Sequence, residues 1–130
     1  MPPARAYAAV DLGAGSGRVM VGWVERERIE LQEVHRFANE ARALDGHLRW
    51  DFARLLAEVE QGLAAAGRAG GSALQSIGVD GWGVDHGFLD ASGRLLADPI
   101  YDRDHGNLRS RPRRLERGPR LPLHPPAPAG

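Results

Sequence analysis

The stretch Asp11-Leu12-Gly13-Ala14-Gly15-Ser16-Gly17-Arg18 decides how this sequence is read. Before it, Tyr7-Ala8-Ala9-Val10 is a short apolar run that predicts a buried strand entering a turn. After it, Arg18-Val19-Met20-Val21-Gly22-Trp23-Val24 is β-branched and apolar and predicts a second strand. Gly13 to Gly17 is then a five-residue turn between strands, rich in positions that tolerate positive φ. Its small residues let backbone N–H groups approach a phosphate closely, and the Ser16 hydroxyl adds a donor. Arg18 adds charge, and Asp11 at the strand end can order Mg2+ through its water shell. Two common phosphate binders are excluded. No Gly-Lys-Ser/Thr follows, as a Walker A loop requires, and Arg18 stands where the third glycine of a dinucleotide fingerprint belongs. Both motifs also open a helix, whereas residues 19–24 predict a strand. The same glycines suit an ordinary hairpin turn equally well.

Working outward, Glu25 to Arg28 is a charged reversal, and Ile29, Leu31, Val34 and Phe37 predict a third strand. Three strands joined by short turns form an antiparallel meander. A glycine loop joining two antiparallel strands, with Asp at its start, fits the phosphate clamp of the actin-like ATPase fold. Asp45-Gly46 marks a further turn. Trp50-Asp51 opens a helix, with Asp51 as its cap and Phe52, Leu55, Leu56, Val59 and Leu63 on one face. Gly67, with Gly70-Gly71 beyond it, is expected to end that helix. Ser76 to Asp80 predicts a strand, Gly83-Val84 leads into another through Phe88-Leu89, and Asp90-Ala91-Ser92-Gly93 predicts a hairpin-type turn before Arg94-Leu95-Leu96. The order β-β-β-α-β-β implies a mixed sheet with a crossover helix, in the α/β class.

Composition narrows the chemistry. The 130 residues suit one domain and contain no Cys, no Lys and no Thr. That excludes a disulfide framework, a thiolate zinc site, a cysteine nucleophile and a Schiff-base lysine. No apolar run approaches the roughly 18 to 20 residues of a membrane span. Met1 to Ala9 lacks the basic and apolar regions of a signal peptide, so a cytoplasmic protein without membrane partners is expected. The 17 Arg and 17 acidic residues cancel, but unevenly: residues 105–130 hold six Arg, one acid and six of the nine prolines. The expected division is therefore an ordered part, 1–104, and an Arg/Pro-rich disordered tail, 105–130. As a basic arm the tail would suit nucleic acid or acidic lipid, and Pro122-Leu123-His124-Pro125 has PxxP spacing. A GC-rich gene read out of frame explains its Arg, Pro, Gly, Ala and Leu better, so nucleic acid is not an expected partner.

A second constellation lies at Ser76-Ile77-Gly78-Val79-Asp80-Gly81-Trp82-Gly83-Val84-Asp85. Two carboxylates, a tryptophan and several glycines sit where a strand ends, the usual edge for sites in α/β sheets. Trp82 can wall a pocket, the glycines let a polyol meet backbone groups, and Asp80 or Asp85 can accept from sugar hydroxyls. Taken alone, a tight turn with solvated aspartates explains these residues better.

Together the two motifs are more specific. With His35-Arg36-Phe37 and Trp50-Asp51 between them, they resemble, in order and spacing, the FGGY family of carbohydrate kinases on its rhamnulokinase branch. The resemblance runs from about Tyr7 to Asp104. It implies an actin-like (ribonuclease H-like) fold, here as an incomplete N-terminal kinase domain, and phosphoryl transfer from MgATP to the 1-hydroxyl of L-rhamnulose. It implies that Ala14 to Arg18 form the ATP phosphate loop, that Asp11 lies near metal and phosphates, and that Gly83 touches the sugar. The general-base aspartate of the family lies downstream, and none of Asp11, Asp80 or Asp85 matches it, so no catalytic residue is assigned and the isolated chain is expected to be inactive. Gly15 stands where the family usually has serine, Gly81 where it has threonine and His86 where it has phenylalanine, and Asp102 interrupts the family's tyrosine-arginine-aspartate segment. The rival expectation is a noncatalytic binding or regulatory module with a basic tail. A phosphatase or chaperone-type ATPase on the same fold is opposed by the sugar-side residues.

Overall fold

The computed structural model describes residues 4–103. The expected tail, 105–130, and the boundary at 104 lie outside the described residues. Three antiparallel strands come first, β1 (Arg5–Leu12), β2 (Ser16–Glu25) and β3 (Arg28–Ala38), followed by a small hairpin of β4 (Arg42–Leu44) and β5 (His47–Arg49). Helix α1 (Phe52–Gly70), a 3-10 turn at Gly71–Ala73 and β6 (Leu74–Asp80) complete the regular elements. The main sheet runs β3-β2-β1-β6, with β6 parallel to β1 and α1 as the crossover. The meander, the helix and the parallel strand are as the sequence predicts.

Alternation along β1 and β2 puts Ala6, Ala8, Val10, Val19 and Val21 on the face that α1 covers, where all five are buried. Each of the three valines contributes roughly 2 kcal/mol by leaving water. The face that α1 presents differs from the expected one. Leu55 is buried and Val59 and Leu63 pack on the core, but Phe52 and Leu56 remain exposed. Small residues take their place: Gly62, Ala66 and Gly70 are buried. A Cβ on Gly62 would lie 2.3 Å from Val19 Cγ2, so this glycine sets how closely the helix approaches the sheet.

The helix begins as expected and ends later. The Asp51 carboxylate accepts from the Arg54 N–H at 3.2 Å. Arg42 bridges it, at 3.2 Å, to Asp98, at 3.3 Å, which places two carboxylates at the positive end of the helix dipole. Gly67 does not end α1. It lies inside the helix, and its carbonyl accepts from the N–H of Gly71, whose φ of 50° turns the chain out.

The third strand forms as expected but with a feature its residues did not announce, and one further expectation needs correction. Ile29 and Leu31 are 67% and 70% exposed. The irregular spacing from Leu31 to Val34 and Phe37 is taken up by a bulge, where β3 slips one residue against Val19 and Met20, so the two halves of β3 turn apolar residues to different faces. The strand expected from Gly83 to Leu89 does not form. The only pairing there is an isolated bridge between Leu89 and Leu95, closed by the expected Asp90–Gly93 turn. Contacts to Trp50 draw residues 82–85 off the sheet, and Gly81, Gly83 and Gly87 give little strand preference. Among the described residues no helix is long and apolar enough to cross a membrane.

Candidate functional site

The parallel pairing of β1 with β6 brings the two sequence motifs to one edge. Asp11 on β1 is in register with Asp80 on β6, so the glycine loop and the segment after Asp80 leave the sheet side by side. A Cβ on Gly81 would touch Leu12 Cβ at 3.5 Å, ordinary packing between the two segments. Ligands of open α/β sheets bind at this edge.

The glycine loop is shorter and tighter than expected. β1 ends at Leu12 and β2 starts at Ser16, leaving Gly13 to Gly15 as the connection. None of Gly13, Gly15 and Gly17 takes a positive φ, contrary to the reason the sequence suggested for them. Close approach explains two of the three. A Cβ on Gly13 would lie 2.8 Å from the Ser16 carbonyl oxygen, to which the Gly13 N–H donates at 3.0 Å. A Cβ on Gly17 would lie 2.2 Å from Phe37 Cζ. Gly15 faces open space, so the serine usual in the family would fit there. Among the described residues the N–H groups of Ala14 and Gly15 have no backbone acceptor.

Charge is arranged in a row across the sheet, in the register Asp80, Asp11, Arg18, Arg36. Arg18 donates through Nε to Asp11 Oδ2 at 2.9 Å, both side chains being half-exposed. The two residues expected to serve metal and phosphate therefore form an ion pair with each other. Arg36 chelates Glu33 at 2.6 and 2.9 Å. That hydrogen-bonded guanidinium holds the Glu33 carboxyl below the usual range, with a smaller pull from Arg18, and Glu33 raises Arg36 in turn.

On the other side Trp50 is the organising residue, 2% exposed. Its ring lies 4.5 Å from that of Trp82 and 4.8 Å from that of Tyr101, the latter edge-on. Its indole N–H donates to Asp85 Oδ2 at 2.5 Å, and its backbone N–H donates to the Pro99 carbonyl at 2.9 Å. Asp85 thus holds the tryptophan. A cavity of about 210 Å³ opens here, lined by Leu12, Trp50, Phe52, Trp82, Asp85 and His86. Gly83 sits beside these residues with nothing within 4 Å of where a Cβ would be. Asp80 is exposed. Among the described residues no group of three or more His, Asp or Glu is arranged to hold a metal ion.

Residues around the site that sequence reasoning missed are Asn39, whose backbone and side chain both bond to the glycine loop, and Glu58, which meets His35 at 2.7 Å and ties β3 to α1. A polar residue just past a strand is a weak signal. The partners of both residues lie more than 20 positions away, beyond any local pattern.

The architecture is that of the first domain of the actin-like ATPase fold as sugar kinases build it. The gluconate kinase of Lactobacillus acidophilus superposes with a TM-score of 0.61 at 10% identity, over 75% of this chain and 20% of that one. The xylulose kinase of Rhodospirillum rubrum gives 0.60 at 22% identity, over 77% and 21%. Sequence narrows the class. The chain is 42% identical over 100 residues to the rhamnulokinase of Lactiplantibacillus plantarum, covering 77% of this chain and 20% of that protein. It is 42% identical over 98 residues to that of Bacillus subtilis and 45% over 100 residues to that of Mannheimia succiniciproducens, each match covering 75% of this chain and 20% of the relative. Over about three quarters of its length the chain is thus similar in sequence to rhamnulokinases, and in fold to sugar kinases. It spans about one fifth of the length of the curated relatives it matches. No protein-family model matches the sequence.

Proposed function

We propose that this chain supplies the phosphate-binding loop and one sugar-facing wall of a cytoplasmic kinase that transfers the γ-phosphoryl group of MgATP to the 1-hydroxyl of L-rhamnulose. Residues 1–104 form part of its first domain, and residues 105–130 take no part. The observation that carries the proposal is the placement of two unlike loops at one sheet edge: one with unengaged N–H groups at Ala14 and Gly15, the other an open glycine beside an aromatic-lined cavity.

Phosphoryl transfer asks a protein for positioning and charge neutralisation more than for covalent chemistry. ATP, when bound, supplies the phosphoryl group, with Mg2+ spreading its charge. The residues present suit both. Ala14, Gly15 and Ser16 offer backbone N–H groups and one hydroxyl to phosphate oxygens, while Gly13 and Gly17 shape the loop by close packing. Asp11 is the carboxylate that would hold Mg2+ through water, while Arg18, already paired with Asp11, fixes that carboxylate's direction and lends residual positive charge. On the sugar side Gly83 leaves room for a polyol against backbone groups, Trp82 and Trp50 make an apolar wall, and Asp80 is a free acceptor. Asp85 acts one step back, by fixing Trp50.

A segment exchange tests this. Residues 1–103 would replace the matched segment of the Bacillus subtilis relative, and L-rhamnulose-dependent ADP formation would be measured. Activity within about tenfold of the parent is expected. A folded chimera that binds neither nucleotide nor sugar would overturn the proposal.

A further inference from the structure

Among the described residues Asn39 is the one polar side chain that is buried, at 7% exposed. It follows β3 directly and belongs to neither loop of the site. Its side-chain Nδ2 donates to the Gly13 carbonyl at 2.8 Å, and its backbone N–H donates to the Gly15 carbonyl at 3.2 Å. A planar trans peptide points its C=O and the following N–H in opposite directions, and no peptide here is cis. Fixing the Gly13 carbonyl toward Asn39 therefore turns the Ala14 N–H away from it, and fixing the Gly15 carbonyl does the same for the Ser16 N–H. The third carbonyl, that of Ser16, is occupied by the Gly13 N–H. Left free, peptides in so glycine-rich a loop would flip at little cost and aim carbonyl oxygens, which repel anions, at the same space.

We infer that Asn39 is a positioning residue, a strut that sets two peptide planes of the loop so that the Ala14 and Ser16 N–H groups face a bound polyphosphate. It touches neither reacting group. The inference rests on the phosphate-binding role proposed for the loop, and its test separates the two.

The 15N-labelled full chain is titrated with inorganic tripolyphosphate, following amide shifts. In the unaltered chain the Ala14 and Ser16 amides are expected to move most. Asn39→Ala, and Asn39→Leu which refills the space without a donor, remove only the side-chain bond to the Gly13 carbonyl. They are expected to bind about tenfold more weakly, with the Ala14 shift lost and the Ser16 shift, held through the backbone N–H that both variants keep, retained. The amides of Val10 and Val21, which report the core, are expected to stay in place. Affinity and shifts equal to the unaltered chain would overturn the strut and leave the loop's role standing. No shift anywhere in residues 13–17 of the unaltered chain would overturn the loop's role and the strut with it. Side-chain amide exchange in the unaltered chain needs no variant. The Asn39 amide protons should exchange at least tenfold more slowly than those of exposed Gln61, and equal rates would overturn the strut.

Discussion

Gly17 and Gly83 sit on neighbouring segments of one sheet edge and are glycine for opposite reasons. At Gly17 the protein itself occupies the space, for the Phe37 ring lies where a side chain would begin. At Gly83 nothing of the protein comes within 4 Å. A glycine crowded by its own chain speaks to folding. A glycine facing empty space beside an aromatic wall has no such explanation within the fold, and the sugar contact proposed for it would supply one. Sequence alone shows the same letter in both places.

The contrast can be broken or sharpened by substitution. Gly17→Val should displace Phe37 and lower stability by about 3 kcal/mol, read as a shifted denaturation midpoint at unchanged slope. A loss below about 1 kcal/mol would mean that the ring yields freely and the crowding is no constraint. Asp85→Ala should leave the buried Trp50 indole N–H without its acceptor and cost about 2 kcal/mol. If stability held while sugar-dependent turnover in the chimera fell, Asp85 would move from support to direct contact. Gly83→Ala should leave stability within about 0.5 kcal/mol while weakening sugar binding in the chimera several-fold, and a large stability loss would erase the contrast with Gly17.

The smallest expected effect is local and depends on pH. Asp90 accepts from the Ser92 hydroxyl and from the Ser92 and Arg94 N–H groups, and these bonds, led by the hydroxyl, hold its carboxyl down to about 2. A depressed value means the turn is fully supported above the ordinary carboxylate range near 4 and loses that support as pH falls through about 2. The Ser92 and Arg94 amide resonances should move together with that midpoint. Movement centred near 4 would show that the Asp90 bonds do not persist in solution.

Much of the fold was legible because its signals are local and periodic. β1 and β2 alternate cleanly, Asp51 caps where expected, and the glycine loop separates two strands. What escaped had physical causes of its own. β4 and β5 are three residues each, too short to show a period, although the Asp45-Gly46 turn between them was visible and takes positive φ at both residues. The inward face of α1 was misjudged because size, not hydrophobicity, selects Gly62, Ala66 and Gly70 against the sheet. The outward turn of Ile29 and Leu31 depends on a bulge that no residue type announces. At the site, the residue types and their edge were readable. The pairing of Arg18 with Asp11, the use of Asp85 to hold Trp50 and the reach of Asn39 into the loop were not, because each depends on which strands lie side by side.

The stacked pair Trp50 and Trp82 has a practical consequence in optics. Two indole rings 4.5 Å apart couple their electronic transitions, and the third tryptophan, Trp23, belongs to β2 and not to this stack. The chain therefore carries an internal chromophore pair whose circular dichroism and emission report whether the segment after β6 is docked, with no label added. The coupled signal of that pair gauges the aromatic wall after β6, while Trp23 reports on the sheet as an isolated indole.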